Sequence, residues 1–317
     1  MLSRTAENLF WIARYIERAE TMARLLEVGA RIALMPSAGH GYRSEWESLL
    51  QASGTAEGFA EKYGDPVQRN IESYLFFDRD NPSSVISCIE RARENARIVR
   101  TALTAQVWDA LNMAFQEMRQ LERKPRSELE LTELTEWVMR QAAMIRGAIE
   151  ATLLRNDGYN FLNLGFALER ADNTARLIDV KYYVLLPSVD FVGSGLDNYQ
   201  WQTLLRAMSA QRAFHWAYGG DITAKKIAHF LILNRQTPRS LITATTSAME
   251  HLDDLAHAYH RSGPAQMRAR ALVGELAETT VEEIFEEGLH EFLTRFIRDI
   301  GELTNMVYNA YLSGEAR

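Results

Sequence analysis

The sequence predicts an all-α protein made of two tandem-duplicated helical-bundle halves with pseudo-twofold symmetry. Three observations carry this. Apolar residues recur at steps of three and four between sparse glycine and proline breaks. No stretch shows strict alternation bounded by hairpin turns. Four sequence blocks return in the same order about half a chain later.

The first long segment sets the pattern. Leu9, Ile12, Ile16, Ala19, Ala23 and Leu26 fall on one helical stripe. Ser3 or Thr5 is placed to cap its start, with Glu7 near the positive end of the helix dipole. Breaks follow at Met35–Gly41, Gly64–Pro66, Asn81–Pro82, Lys124–Pro125, Pro187–Gly195, Gly219–Gly220, Thr237–Pro238 and Ser262–Pro264. The short apolar runs Tyr182–Leu186 and Phe230–Leu233 read as helix ends.

The repeats are specific. Residues 17–28 return 152 residues later as 169–180, with seven of twelve positions identical and Glu20/Asp172, Leu26/Ile178 and Glu27/Asp179 swapped like for like. Trp46-x-x-Leu49-Leu50-x-Ala52 returns at Trp201, the Leu75–Ser87 block around Pro82 returns around Pro238, and Leu134-x-Glu136-Trp137-x-x-Arg140 returns at Leu289. A period near half the chain is too long for a solenoid. It divides the protein into halves of roughly 1–150 and 151–317, packed as one unit. In the proline blocks an apolar helix end meets Asp78 or Asn234, and proline precedes the next helix, which reads as structural punctuation.

Bulk properties bound the function. A chain of 317 residues with 47% hydrophobic and 24% charged content can bury a large core. The net charge of −7 argues against nonspecific nucleic-acid binding. A lone cysteine, Cys88, excludes an internal disulfide and fits a reducing compartment. Met1 leads directly into a charged amphipathic pattern rather than a signal peptide, and no apolar run approaches a membrane span. A cytoplasmic location is expected.

The repeated helix carries the chemistry-bearing residues. Glu17, Glu20, Arg24 and Glu27 share one face, flanked by Arg14 and Arg18. Glu169, Asp172, Arg176 and Asp179 share the matching face of the second copy, beside Arg170. A solvated face laced with weak ion pairs has little reason to keep its charge order in two copies that have otherwise drifted. The retained order points to a partly buried, mutually satisfied ion-pair network, with a ligand pocket built on it as the alternative. Ala19, Ala23, Ala171 and Ala175 suit close approach of the two copies. A third string, Glu90-Arg91-Ala92-x-x-x-Ala96-Arg97, has no counterpart in the second half and reads as a surface helix.

Other chemistry is poorly represented. Neither a Walker-type phosphate loop nor a dinucleotide fingerprint is present. Cys88 lies in an apolar helical stretch and reads as a buried, inert thiol. Glu287-x-x-His290 is one half of a di-iron motif, but the corresponding first-half position is Thr135, and His257-x-x-His260 alone is weak, so no metal is expected. His215, near Arg212 and Trp216, reads as a hydrogen-bonded side chain. Trp11, Tyr15, Trp46, Trp201, Tyr182 and Tyr183 read as core.

Ser3-Arg4-x-Ala6-Glu7-Asn8-x-x-Trp11-x-x-Arg14-Tyr15-x-Glu17-Arg18-Ala19-Glu20 resembles the alpha-E family, as do Arg170–Tyr182 and Leu185-x-Pro187. These are bacterial helical proteins of unknown function named for recurrent Glu/Arg motifs. The resemblance covers nearly the whole chain. It implies association with a circularly permuted ATP-grasp protein resembling amide-forming ligases, and with a transglutaminase-like peptidase. It assigns no catalytic residue and no cofactor. Three functions are therefore expected in order: a non-catalytic partner of an ATP-grasp amide ligase; an enzyme or binding module; or a purely structural homo-oligomer. In the second, Arg14, Arg18, Arg24, Arg170 and Arg176 grip a carboxylate or phosphate and Glu17 or Glu169 acts as base.

Overall fold

The structure, a computed structural model, describes residues 1–34, 43–185 and 195–314. Among the described residues fifteen α-helices run in chain order: α1 (Ser3–Ala33), α2 (Arg43–Ser53), α3 (Ala56–Lys62), α4 (Gln68–Glu72), α5 (Val85–Ile98), α6 (Ala105–Glu122), α7 (Leu131–Thr152) and α8 (Asp157–Leu185). They continue as α9 (Gly195–Ala207), α10 (Gln211–Tyr218), α11 (Ala224–Ile232), α12 (Leu241–Ala258), α13 (Pro264–Glu278), α14 (Val281–Glu287) and α15 (Leu289–Val307). No strand occurs among the described residues. No helix there is long and apolar enough to cross a membrane.

Two helices form the centre. Gly158 of α8 lies against Met1 and Leu9, Gly165 against Phe10 and Ala13 of α1, and Glu169 meets Arg14 and Arg18, so α1 and α8 run side by side in the same direction. Gly165 marks their closest approach, since an added Cβ would stand 2.4 Å from the Phe10 carbonyl oxygen. α5 and α7 pack on α1, α12 and α15 pack on α8, and α2 and α9 touch both. The predicted stripe from Leu9 to Leu26 is fully buried. Because neighbours cover α1 on several sides, Phe10, Met22, Leu25 and Val28, off that stripe, are buried too.

The recurring blocks adopt matching local structures. Trp46 and Trp201 are both buried. Ser84 caps α5 by accepting the Ser87 N–H, and Ser240 caps α12 by accepting the Thr243 N–H. The Asp78 carboxylate accepts the Asp80 N–H, and the Asn234 side chain accepts the Gln236 N–H. The run Phe230–Leu233 does end a helix, with α11 closing at Ile232; the run Tyr182–Leu186 extends past Leu185, the last described residue of α8.

Several expectations change. Leu2 is the N-cap of α1, with φ −71° and ψ 140°, which puts Ser3 and Thr5 inside the first turn where neither side chain caps. The string at Glu90 is not a free surface helix, because Ala92 and Ala96 are buried where α5 packs on α1. Tyr182 is 37% exposed and stacks on His290, rather than lying in the core. The break at Met35–Gly41 lies outside the described residues, as does the break at Pro187–Gly195 except for Gly195 itself, together with Leu186.

Candidate functional site: a Glu/Arg cluster between the two central helices

Glu17 sits at the middle of α1 with no solvent exposure. Arg170 on α8 donates from Nε and Nη2 to its two oxygens, Arg146 on α7 donates at 2.8 Å, and Arg239 donates at 2.7 Å. A carboxylate has about four acceptor positions, and these contacts fill them. Burial by itself would raise the Glu17 carboxyl, but Arg170, Arg239 and Arg146 together outweigh it and hold it well below the usual carboxylate range.

Glu20, one turn on, is also buried. It accepts from Arg24 at 2.6 Å and shares Arg146 and Arg239 with Glu17. Its carboxyl is also lowered: burial and Glu17 oppose ionisation, and Arg239, Arg24 and Arg146 win. Arg24 reaches onward to the Ala207 carbonyl at the end of α9 and to Ser209. One residue thus ties α1 to the α9–α10 corner.

Glu169 of α8 forms the reciprocal site. It accepts from Arg14 and Arg18 of α1, each at 2.6 Å. Arg18 of α1 thereby binds Glu169 of α8, while Arg170 of α8 binds Glu17 of α1. Burial opposes ionisation of Glu169, but Arg18 and Arg14 bring its carboxyl down to about 2. Trp11 lies under both guanidiniums, 4.8 Å from Arg14 and 5.9 Å from Arg18. It is therefore a cation–π platform for the cluster rather than simply core. Cys88 is fully buried nearby; burial, more than any charge, pushes its thiol up to about 12, so it carries no thiolate at neutral pH.

The remaining sequence candidates lie at the margin. Asp172 and Arg176 pair along α8 at 2.7 Å and are partly exposed. Asp179 leaves the cluster and pairs with His290 of α15 at 2.7 Å. Burial raises the Asp179 carboxyl more than His290 lowers it. Glu287 pairs instead with Arg295, so the Glu-x-x-His motif does not converge. Among the described residues, no three His, Cys, Asp or Glu side chains gather as a metal-ligand set. His215 is exposed and contacts the Gly219 carbonyl.

Arg146 and Arg239 were missed from sequence. Arg146 sits on an ordinary amphipathic helix, and Arg239 follows Pro238 in what reads as a turn. Their counterparts at the offsets of the recurring blocks are Gly301 and Ser83, so no charged echo draws attention to them. The Pro238 block is thus more than punctuation: it caps α12 and delivers a cation to Glu17.

Along this seam the four acids Glu17, Glu20, Glu169 and Asp172 face seven arginines: Arg14, Arg18, Arg24, Arg146, Arg170, Arg176 and Arg239. The centre of an acidic chain is therefore locally positive. On one side the surplus meets a cavity of about 340 Å³, bounded by Arg146, Arg170, Asn163, Thr243 and Phe166 among others. As for general-base chemistry, Glu17 and Glu169 are held ionised and their oxygens are taken by guanidiniums, which suits anchors rather than proton acceptors.

Fold and site together define an all-helical protein whose paired central helices are locked by buried Glu–Arg contacts. The chain belongs to the Alpha-E family, described as a predicted alpha-helical domain with a conserved ER motif; the match spans residues 1–312. It is 22% identical over 315 residues to an uncharacterized protein of Mycobacterium bovis and to uncharacterized proteins of two Mycobacterium tuberculosis strains. Each match covers 94% of this chain and 35% of the relative, so the chain spans about a third of the length of the curated relatives it matches. No solved structure matches it.

Proposed function

We propose that the chain is a non-catalytic component of an amide-bond-forming system, acting beside an ATP-grasp ligase, with a transglutaminase-like peptidase as a second partner. The observation that carries this reading is the state of the cluster. Its carboxylates are buried, ionised and saturated by arginines, so the most distinctive residues of the chain serve cohesion and recognition rather than proton transfer. The mycobacterial relatives add support, because there the same region is part of a chain about three times as long. A module that works in covalent company suits an accessory role, and the alpha-E resemblance supplies the ligase as the company. ATP-dependent ligation places the pair in the cytoplasm.

The two halves, 1–150 and 151–317, are read as a tandem duplication with a pseudo-twofold axis running between α1 and α8. The reciprocal Arg18–Glu169 and Arg170–Glu17 pairs and the matched Ser84 and Ser240 caps support it.

Co-expression with an ATP-grasp ligase of the kind the alpha-E resemblance implies tests the proposal. Copurification, and ligase activity that rises when the chain is present, are expected. A ligase fully active alone, with no copurification, ends this reading.

A further inference from the structure

We infer that the cavity between α7, α8 and α12 is a binding site for a dipeptide-sized zwitterion, its carboxylate held at Arg146 and Arg170 and its amine at Glu150. The inference extends the accessory reading by naming what the module holds, and rests on that reading for its biological use.

The carboxylate end follows from unused donors. Arg170 applies Nε and Nη2 to Glu17, leaving both Nη1 hydrogens without a partner among the described residues. Arg146 applies Nη1 to Glu17 and Nη2 to Glu20, leaving Nε–H in the same state. Both side chains line the cavity and are about one-fifth exposed. Both are also fixed in place, since each is clamped to a buried acid and Arg146 lies 5.7 Å from the Phe166 ring. Such preorganised guanidiniums bind a carboxylate without the ordering cost of free arginines. The local surplus of positive charge means an added anion relieves repulsion instead of creating it.

The amine end follows from Glu150. It lies four residues beyond Arg146 on α7 and lines the same cavity at its exposed edge. Residues at this spacing ordinarily pair, but here Arg146 is drawn to α1 and Glu150 turns to Tyr159 and Arg155. Their backbones stand one helical turn apart, about 6 Å along the axis, and both side chains line one cavity. The volume of that cavity sets the size of the ligand. The cavity of about 340 Å³ is near the lower bound for ligand sites. At roughly 30 Å³ per water-sized group it holds about a dozen non-hydrogen atoms. Asn163, Thr243 and Ser247 offer polar contacts between the two ends, and Ile149, Phe166 and Ala244 offer apolar ones.

Calorimetric titration of the full chain with L-alanyl-L-alanine, L-alanine, acetate and inorganic phosphate tests the site. Saturable binding of the dipeptide is expected, at least tenfold tighter than that of the other three. Glu150→Gln should reduce dipeptide affinity to that of acetate while leaving acetate unchanged. Ser247→Trp, which fills the cavity from α12, should abolish binding while the helical content of the chain stays unchanged. Phosphate or acetate binding as tightly as the dipeptide, dipeptide binding that survives Ser247→Trp, or no saturable heat up to millimolar dipeptide would each overturn the inference. These titrations use the chain alone, so their failure is distinct from a failure to copurify with the ligase.

Discussion

Glu17 gathers side chains from three distant parts of the sequence, at positions 146, 170 and 239. Glu17→Gln keeps the shape but removes the charge that three partly buried guanidiniums share. Breaking a buried pair from one side costs about 3–5 kcal/mol, so the variant should lose about that much in urea unfolding. Arg176→Ala is the control. Its pair with Asp172 is short-range and partly exposed, and such pairs contribute at most about 1 kcal/mol. Equal losses from the two variants would show that the cluster is not held as described.

Acid sensitivity follows from the same residues. Glu169 titrates near 2 in the folded protein against an ordinary value of 4.5. Its folded form therefore binds the proton less readily than its unfolded form. The stability it contributes is complete above about pH 4.5 and is lost as pH falls towards 2, amounting to about 3 kcal/mol for this group. Glu17 and Glu20 act in the same direction. Urea midpoints measured from pH 7 down to pH 3 should be nearly level at first and then drop below about pH 4.5. In Glu169→Gln the drop should be shallower; an unchanged drop would remove Glu169 as a contributor.

At the scale of helices, the α1–α8 crossing depends on the absence of a side chain at Gly165. A Cβ there would fall 2.4 Å from a backbone oxygen, which cannot swing aside as a flexible side chain can. Overpacking of this kind costs about 1–3 kcal/mol or more. Gly165→Ala should thus destabilise the protein even though alanine is intrinsically the better helix former. A stabilised variant would mean that the helices part at no cost.

The elements also show which features the sequence could reveal. The stripe from Leu9 to Leu26 was visible because burial on that face is written in period 3.6. The burial of Glu17, Glu20 and Glu169 could be suspected from the charge order repeated in two copies. Their partners Arg146 and Arg239 could not. An arginine on an amphipathic helix or after a proline reads as solvated, and only the tertiary arrangement brings these two to α1. The cavity was hidden for the same reason: its walls come from three helices with no shared motif.

For the whole molecule, the chain is acidic at −7, while its central seam carries more arginines than acids. The positive charge sits inside an acidic chain, and beside α7 it opens to a cavity that an anion can enter. The identified family accounts for the helical architecture and the Glu/Arg motif. The proposed ligase partner rests on the family resemblance, and the proposed dipeptide site on how that motif is used in three dimensions.

The crossed pairing of Arg18 with Glu169 and of Arg170 with Glu17 has a topological consequence. α1 and α8 each complete the other's ion pairs, and the contact itself does not distinguish an α8 of the same chain from that of a neighbour. The four residues 153–156, joining α7 to α8, make the choice by keeping the halves at high mutual concentration. Deleting two of them should strain that closure and drive exchange of halves between chains. Light scattering after size-exclusion chromatography would then find an intertwined dimer of unaltered helical content, with the pairs of Glu169 to Arg14 and Arg18 and of Glu17 to Arg170 and Arg239 re-formed in trans, while Arg24–Glu20 and Arg146–Glu17 stay within one chain.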